Sequence, residues 1–322
     1  MRAPGFWSRP GSLASHALRP LGALYARATA RRVARPGARM GVPVICVGNL
    51  TAGGTGKTPM AMWLAERVPG AHVVSRGHGG SLDGPVRVDP QVHDAGQVGD
   101  EPLLLAALTP TWVAVDRAAG ARAAEAAGAR AIVLDDGFQN PDPAKDLSIV
   151  VVDAGTGFGN GRVIPAGPLR EPVTAGLARA DMVLTVGSAA EQARLALPGG
   201  VPRLRGRLAP LATGMPWAGL PVFAFAGIGR PEKFFDTLRD LGVDLRGTEA
   251  LSDHQPLTSA LLKRLGDKAA RLSAQPVTTE KDAVRLPADL RGRVLTLPVR
   301  LEIEDDAVLS AALERVLGAR PG

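Results

Sequence analysis

The chain has 322 residues, 45% of them apolar, so it is long enough for two domains and can form a buried core. Only 4% of the residues are aromatic, which argues against a surface that stacks nucleic-acid bases. The formal charge of +7 is concentrated in the first 39 residues, which hold eight arginines and no acidic residue, whereas the rest carries 30 basic and 31 acidic side chains. The body of the protein is therefore nearly neutral and its N-terminal arm is basic.

The arm, residues 1–39, contains the pattern of an amphipathic helix. Between Leu13 and Ala28 apolar residues recur at helical spacing, with arginines between and after them. The arm cannot span a bilayer, which needs about 18 continuous apolar residues, because Arg19 and Pro20 interrupt its best window. A helix lying on an anionic membrane, an organellar presequence and a helix packed on the body all fit this pattern.

The next feature is a glycine-rich segment between an apolar strand candidate at residues 42–47 and a helical pattern that follows. In such loops backbone N–H groups surround phosphate oxygens, a lysine reaches the β- and γ-phosphates and a hydroxyl binds magnesium. A glycine turn without a ligand is the alternative. The predicted nucleotide-binding residues are Thr51, Ala52, Gly53, Gly54, Thr55, Gly56, Lys57 and Thr58, with Thr51 in the place of the first consensus glycine.

Short apolar runs and alanine-rich helical stretches alternate through the following 130 residues or so. The further strand candidates are residues 72–75, 112–115, 131–134, 147–152 and 182–186. Alternation of this kind predicts an α/β fold of the P-loop NTPase type, with a mostly parallel sheet and helices on both of its faces.

Two adjacent carboxylates, Asp135 and Asp136, end the strand candidate at residues 131–134. Beside a phosphate-binding loop this is where Mg²⁺ and its water shell would lie, although such a pair also serves as a turn or helix cap. The sequence contains no N/T-K-x-D tetrapeptide for guanine, because Lys281 directly precedes Asp282 in the most similar segment. We therefore expect the cofactors to be ATP and Mg²⁺.

A second α/β pattern follows a region rich in proline and glycine, with strand candidates at residues 222–226 and 294–298. Helical patterns cover residues 232–241, 259–272 and 306–317. The sequence thus predicts three parts: the arm (1–39), a P-loop core (40–210) and a smaller C-terminal α/β domain (211–322).

Seven motifs, in order, resemble those of the tetraacyldisaccharide 4'-kinases of lipid A synthesis. They are CVGNLTAGGTGKTP (46–59), SRGHGG (75–80), GDEP (99–102), DDGFQN (135–140), IPAGPLREP (164–172), SDHQ (252–255) and TTEKDAVR (278–285). The resemblance implies transfer of the γ-phosphate of ATP to the 4'-hydroxyl of a tetraacyldisaccharide 1-phosphate, which forms lipid IVA. It also implies a peripheral protein at the cytoplasmic face of the bacterial inner membrane.

The resemblance further implies partners and residue roles. The expected partners are the lipid disaccharide and an anionic membrane surface that the arm contacts, without nucleic acid or an obligate protein partner. Asp100 would be the base for the sugar hydroxyl and His254 would tune it, although Asp100 also suits a helix cap. The remaining assignments are Lys57 and Arg170 as catalytic residues, with Thr58, Asp135, Asp136 and Glu171 at the metal.

Gln139, Asn49 and the pair Ser75 and Arg76 have open roles. Gln139 is a candidate for orienting ligands near the metal, and the others fit phosphate or sugar contacts. Ordinary turn hydrogen bonds account for all of them equally well. The alternative function is a P-loop ATPase switch or assembly factor that acts at the membrane without a sugar acceptor. Asp100 and His254 favour the kinase, because a hydrolase has no need of this widely separated pair.

Overall fold

The computed structural model describes residues 4–253 and 255–319. They form two compact units: a larger one that runs up to Leu208 and resumes at Leu301, and a smaller one formed by Ala209–Arg300. The predicted smaller domain, 211–322, is therefore wrong at its C-terminal end. The apolar face of the last helix contributes Leu309 and Leu313 to the same core as Leu184 of the larger unit, which is why this segment belongs there.

The strands, in chain order, are β1 (Val44–Gly48), β2 (Ala71–Ser75), β3 (Val86–Arg87), β4 (Thr111–Val113), β5 (Ala131–Asp135), β6 (Leu147–Asp153), β7 (Met182–Val186), β8 (Arg203–Pro210), β9 (Pro221–Ala226), β10 (Asp244–Ala250), β11 (Gln275–Thr279), β12 (Leu295–Leu297) and β13 (Val299–Ile303). The α-helices are α1 (Leu13–Ala17), α2 (Arg19–Val33), α3 (Lys57–Arg67), α4 (Ala95–Val98), α5 (Asp100–Ala106), α6 (Arg117–Ala126), α7 (Val173–Leu177), α8 (Ala189–Arg194), α9 (Pro231–Asp240), α10 (Ser259–Arg271), α11 (Glu280–Ala283), α12 (Ala288–Arg291) and α13 (Ala307–Gly318). A short 3₁₀ helix covers Gly5–Ser8.

The larger sheet has the strand order β13-β8-β7-β6-β1-β5-β2-β4-β3 within the described residues. Its central strands pair in parallel, and β3 runs antiparallel to β4. Strand β1 lies between β5 and β6, with Val47 opposite Asp135. The predicted α/β fold with a mostly parallel sheet is confirmed, and the loop after β1 meets the aspartates after β5 because parallel strands share one carboxyl edge.

Both faces of this sheet are covered, so its central strands are continuously apolar. Ile45 and Val47 of β1 face a core with Met60 and Leu64 of α3. The alternate residues of β1 face a second core, where α6 contributes Ala121 and Ala124. The small residues of α6 let this helix approach the strands closely, and Ala114 and Val74 would both clash with a side chain at Gly120.

The smaller unit repeats the α/β plan with four parallel strands in the order β10-β9-β11-β12. Successive residues of β9 alternate between two cores. Val222 and Ala224 pack with the phenylalanines of α9, and Phe223 and Phe225 pack with Leu265 and Ala269 of α10.

The N-terminal arm is helical, but not as the single helix expected from 13 to 28. Helix α1 ends at Ala17 and α2 begins at Arg19, with Pro20 in its first turn, where a missing N–H costs nothing. Among residues 4–253 and 255–319, no helix is both long and apolar enough to cross a membrane.

Candidate active site

The predicted phosphate-binding loop joins β1, which ends at Gly48, to α3, which begins at Lys57. Gly53 (φ +120°) and Gly56 (φ +86°) adopt backbone conformations that favour glycine, and Gly56 immediately precedes the helix. A Cβ on Gly53 or Gly54 would have no neighbour within 4 Å in the described part of the chain. The loop therefore has room above its backbone, at a helix N-terminus that attracts anions.

Asn49 supports this loop from beneath. Its side chain is fully buried, and its Nδ2 donates to the Gly53 carbonyl (3.3 Å) and to the Thr55 hydroxyl (3.0 Å). Among the described residues its Oδ1 finds no hydrogen-bond partner. Of the two open interpretations, the structure favours the turn hydrogen bond, because the amide holds the loop's own atoms.

Lys57, Asp136 and Arg170 converge at the carboxyl edge of the larger sheet. Asp136 Oδ1 lies 3.9 Å from Lys57 Nζ and accepts from Arg170 Nη1 at 2.8 Å. Burial raises the pKa of Asp136, but the charges of Lys57 and Arg170 outweigh it and bring the pKa below its ordinary value. Asp136 is therefore ionised, and two cations stand beside the place for a nucleotide phosphate.

Arg117, which the sequence analysis did not identify, holds the backbone of this aspartate. Its Nη2 donates to the Asp136 carbonyl at 2.8 Å from the first residue of α6. Asp136 has φ +55°, a conformation that is uncommon outside glycine. No sequence signal pointed to Arg117, because its partner lies on a different strand–helix connection.

Asp135 is the more buried of the two aspartates. Ser75 Oγ donates to its Oδ2 (3.2 Å), while its buried Oδ1 has no hydrogen-bond partner in the part of the chain that the structure describes. Burial, followed by the charge of Glu101, raises its pKa from the ordinary 3.8 to about 7, against the opposing effect of Lys57. A buried carboxylate oxygen that lacks a donor is suited to a cation.

Glu171 is buried and already paired. Both of its oxygens accept from Arg179 Nη2, at 2.7 and 2.6 Å, and Oε1 also accepts from Gln139 Nε2 at 3.0 Å. The Arg179 guanidinium lies 4.4 Å above the centre of the Phe138 ring. Arg179 was also missed from the sequence, since it follows a short helix outside the quoted motifs.

Gln139 contacts three residues of the site. Besides Glu171, its Nε2 donates to the Asn49 carbonyl at 2.8 Å, and its Oε1 accepts from Arg170 Nη1 at 3.3 Å. Gln139 thus ties the residue that follows β1 to the two charged residues of the IPAGPLREP motif.

Asp100 is buried at the first position of α5, where it accepts from the backbone N–H of Glu101 at 2.9 Å. The helix begins at Asp100 and its N-cap is Gly99, so Asp100 is the first residue of the helix and not its cap. The GDEP and SRGHGG motifs lie together, because a Cβ on Gly99 would fall 2.8 Å from the His78 carbonyl. The charge of Glu101 helps to raise the pKa of Asp135, so the first turn of α5 lies near the edge of the sheet that carries Asp135.

The last two motifs lie in the smaller unit and contact each other there. Asp282 is fully buried, accepts from the Gly227 N–H at 3.2 and 3.0 Å and pairs with Arg285. Arg285 in turn joins the two motifs, because its Nη1 donates to the Gln255 carbonyl at 2.9 Å. His254, the predicted partner of Asp100, lies outside the described residues.

The candidate active site in the larger unit can hold a magnesium ion only if a bound nucleotide supplies further ligands. Within residues 4–253 and 255–319, no group of three or more His, Cys, Asp or Glu side chains is arranged to hold a metal. Mg²⁺ commonly keeps several waters and takes one or two protein ligands plus nucleotide phosphates. The partnerless Asp135 oxygen and the Thr58 hydroxyl suit that arrangement.

Comparison with known proteins gives consistent matches. A family model described as tetraacyldisaccharide-1-P 4'-kinase matches residues 14–318. A tetraacyldisaccharide 4'-kinase of Dinoroseobacter shibae is 66% identical, covering 98% of this chain and 97% of its own, and one of Jannaschia sp. is 60% identical, covering 99% and 100%. A crystal structure of "apo" form LpxK from Aquifex aeolicus in complex with ATP is similar with a TM-score of 0.78 and 25% identity, covering 95% of this chain and 100% of that one.

Proposed function

The chain belongs to the tetraacyldisaccharide 4'-kinase family, and we infer from this that it transfers the γ-phosphate of ATP to the 4' position of a lipid A precursor. It is an ATP-dependent kinase that works with Mg²⁺. The observation that carries the assignment onto particular residues is the meeting of Lys57, Asp136 and Arg170 beside the phosphate-binding loop.

This arrangement suits phosphoryl transfer, which depends mainly on positioning and charge neutralisation. We expect the backbone of the loop from Thr51 to Gly56 to hold the phosphates and Lys57 to neutralise the β- and γ-phosphate oxygens. Arg170 would then contact the transferred group, once the phosphates compete with Asp136 for its guanidinium.

Thr58 and Asp135 are the proposed direct ligands of Mg²⁺, which when bound neutralises phosphate charge. Asp136, which pairs with Lys57 and Arg170, would hold the metal's water shell. Glu171, whose carboxylate is held by Arg179, would act on the site through Gln139 rather than by direct ligation.

Asp100 is the proposed base for the sugar hydroxyl, with His254 as its partner. Its position in the first turn of α5, at the edge that carries Asp135, supports this role. A buried carboxylate can accept the hydroxyl proton as the attack develops.

The test is ADP release by the purified protein with and without a lipid A disaccharide 1-phosphate in detergent. Lys57→Ala should abolish transfer, and Asp100→Ala should slow it by roughly 100-fold or more with ATP affinity kept. The matched control is Asp116→Ala, which removes a carboxylate that caps α6. ADP formation that ignores the acceptor would contradict kinase activity, and a normal rate for Asp100→Ala would remove Asp100 from the mechanism.

We also propose that the arm rests on an anionic membrane surface, at the cytoplasmic face of the inner membrane. Leu21 and Leu24 of α2 are 54% and 64% exposed, and Leu13 is 87% exposed. Exposed arginines, among them Arg27 and Arg31, lie on the same helix. Exposed leucines beside arginines suit insertion at the headgroup boundary of anionic lipids.

Vesicle co-sedimentation tests this surface. A double variant with Leu21→Ser and Leu24→Ser should bind vesicles containing phosphatidylglycerol roughly tenfold or more weakly than wild type, because less apolar area enters the bilayer. The control is Val92→Ser, at an exposed apolar residue outside the arm. Equal binding of the double variant and wild type would contradict the membrane proposal.

A further inference from the structure

We propose that the inner face of the N-terminal arm positions the loop of residues 160–170, here called the arginine loop, and through it the phosphate-binding loop. This role is separate from the arm's membrane contact. It rests on the proposed function, because it takes Arg170 and the phosphate-binding loop to be parts of the kinase site.

Ser15 makes the first contact. It is only 1% exposed, although it lies on a helix whose neighbouring residues are exposed. Its Oγ donates to the Ala166 carbonyl at 2.6 Å. Trp7 adds a second contact of the same kind, because its indole Nε1 donates to the Pro165 carbonyl at 3.1 Å. Two side chains of the arm thus hold consecutive carbonyls of the arginine loop.

Asn160 reaches back from the loop to the arm. Its Nδ2 lies within hydrogen-bond distance of the Phe6 carbonyl (3.2 Å), Ser15 Oγ (3.0 Å) and the Ala166 carbonyl (3.0 Å). Its backbone N–H donates to the Trp7 carbonyl at 2.8 Å. Asn160 therefore contacts both the 3₁₀ helix and α1 of the arm, as well as the Ala166 carbonyl of its own loop.

Helix α2 also lies close to the arginine loop. A Cβ on Gly22 would fall 2.8 Å from the Val163 carbonyl, so the absence of a side chain permits the contact. Gly22 and Thr29 are buried on one face of α2, whereas Leu21 and Leu24 are exposed. The helix thus presents different residues to the body and to solvent.

The other side of the arginine loop is bonded to the start of the phosphate-binding loop. Ala52 N–H donates to the Pro168 carbonyl and Arg170 N–H donates to the Leu50 carbonyl, both at 2.7 Å. Leu169, between them, is fully buried and pairs with Thr51. Hydrogen bonds therefore join Ser15 to the arginine loop, and other hydrogen bonds join the arginine loop to the start of the phosphate-binding loop.

A helix that served only as a membrane anchor would not require a buried serine hydroxyl that donates to the catalytic body. The Ala166 carbonyl accepts from both Ser15 and Asn160, so removing either donor weakens the link between the arm and the arginine loop, and the segment that carries this carbonyl moves or loosens. Phosphoryl transfer is sensitive to such movement, because a displacement of about 1 Å can change the rate by about two orders of magnitude.

The test uses the full-length variants Ser15→Ala and Asn160→Ala. Ser8→Ala is the matched control, because the Ser8 hydroxyl donates to Gly5 within the arm at 3.0 Å and the residue is exposed. We would measure kcat on acceptor in detergent, ATP affinity by calorimetry without lipid, and vesicle co-sedimentation. We expect kcat to fall roughly three- to tenfold for Ser15→Ala and further for Asn160→Ala, with weaker ATP binding and unchanged vesicle binding.

Trp7→Phe keeps an aromatic ring, although a smaller one, and removes the bond to Pro165, so it serves if Ser15→Ala and Asn160→Ala fold poorly by circular dichroism. Rates and ATP affinities within about twofold of wild type in the folded variants, or an equal loss in Ser8→Ala, would overturn the proposal. Loss of vesicle binding with unchanged kcat would overturn it too and leave the arm as an anchor alone. A wild-type protein that fails to bind ATP would instead contradict the proposed function.

Discussion

Asp135 should make the metal-free protein less stable as the pH rises, and Asp135→Asn should remove this effect. Its pKa in the folded chain is about 7, against an ordinary value of 3.8. Between these values the folded state keeps a proton that the unfolded state has lost, so stability falls as the pH rises through this window. Asparagine has nearly the same shape and carries no charge at any pH in the range.

The magnitude follows from the difference in pKa. With about 1.4 kcal/mol per pKa unit, the raised pKa of Asp135 lowers the stability by about 4 kcal/mol at pH 7.5 and by about 2 kcal/mol at pH 5, where the folded state still holds the proton. The stability of Asp135→Asn relative to wild type should therefore increase by about 2 kcal/mol from pH 5 to pH 7.5. This change is more informative than either stability alone, because the effects of the substitution that do not depend on pH cancel.

The assay is urea unfolding in EDTA at several pH values, followed by tryptophan fluorescence. Asp116→Asn is the control, because Asp116 caps α6 and asparagine caps a helix nearly as well. Its stability difference from wild type should hardly change over this pH range. If the stability difference between Asp135→Asn and wild type does not depend on pH, the pKa of Asp135 is not raised in the folded chain.

Three further outcomes test other parts of the structure. Asn49→Ala should weaken ATP binding, measured by calorimetry, roughly tenfold by releasing the phosphate-binding loop. The control is Gln192→Ala, at a buried amide bonded to Thr185 and Gly206, which should leave the ATP affinity unchanged. Equal losses in both variants would indicate general destabilisation. Arg179→Met should lower kcat by roughly an order of magnitude with Arg179→Lys intermediate, and steady-state rates at wild-type level would exclude a positioning role. Leu309→Ala should destabilise the protein by about 2–5 kcal/mol in urea unfolding; a cost no larger than that of a neighbouring exposed position would place the last helix outside the core.

Local sequence patterns were sufficient for the elements that build the nucleotide site. The apolar run before the phosphate-binding loop predicted β1, the alternation after it predicted a parallel sheet, and the run from Ala131 predicted β5. These patterns work because burial on both faces requires continuous apolar residues, and glycines at positive φ mark the loop itself. The meeting of Lys57 and Asp136 then follows from parallel strand topology, once β1 and β5 are neighbours.

Other features could not be predicted from local patterns. Strands β3, β8, β10, β11 and β13 were not recognised. Strands β3, β10 and β13 lie at the edges of their sheets, β8 is partly exposed and β11 contains Pro276, so none of them has a clear apolar periodicity. The last helix was assigned to the smaller unit but belongs to the larger one. The apolar face of a helix can be recognised in the sequence, but the core against which it packs cannot.

The α/β fold, the predicted phosphate-binding loop and the pair of aspartates could be read from the sequence, because each is a property of residues close together in the chain. Three contacts could be seen only in the folded protein: Arg179 holds Glu171, Asn49 supports the loop from below, and Ser15 of the arm is buried against Ala166. Each of those contacts joins a residue to partners set by packing. Its energy depends on burial and distance, which no spacing of residue types along the chain records.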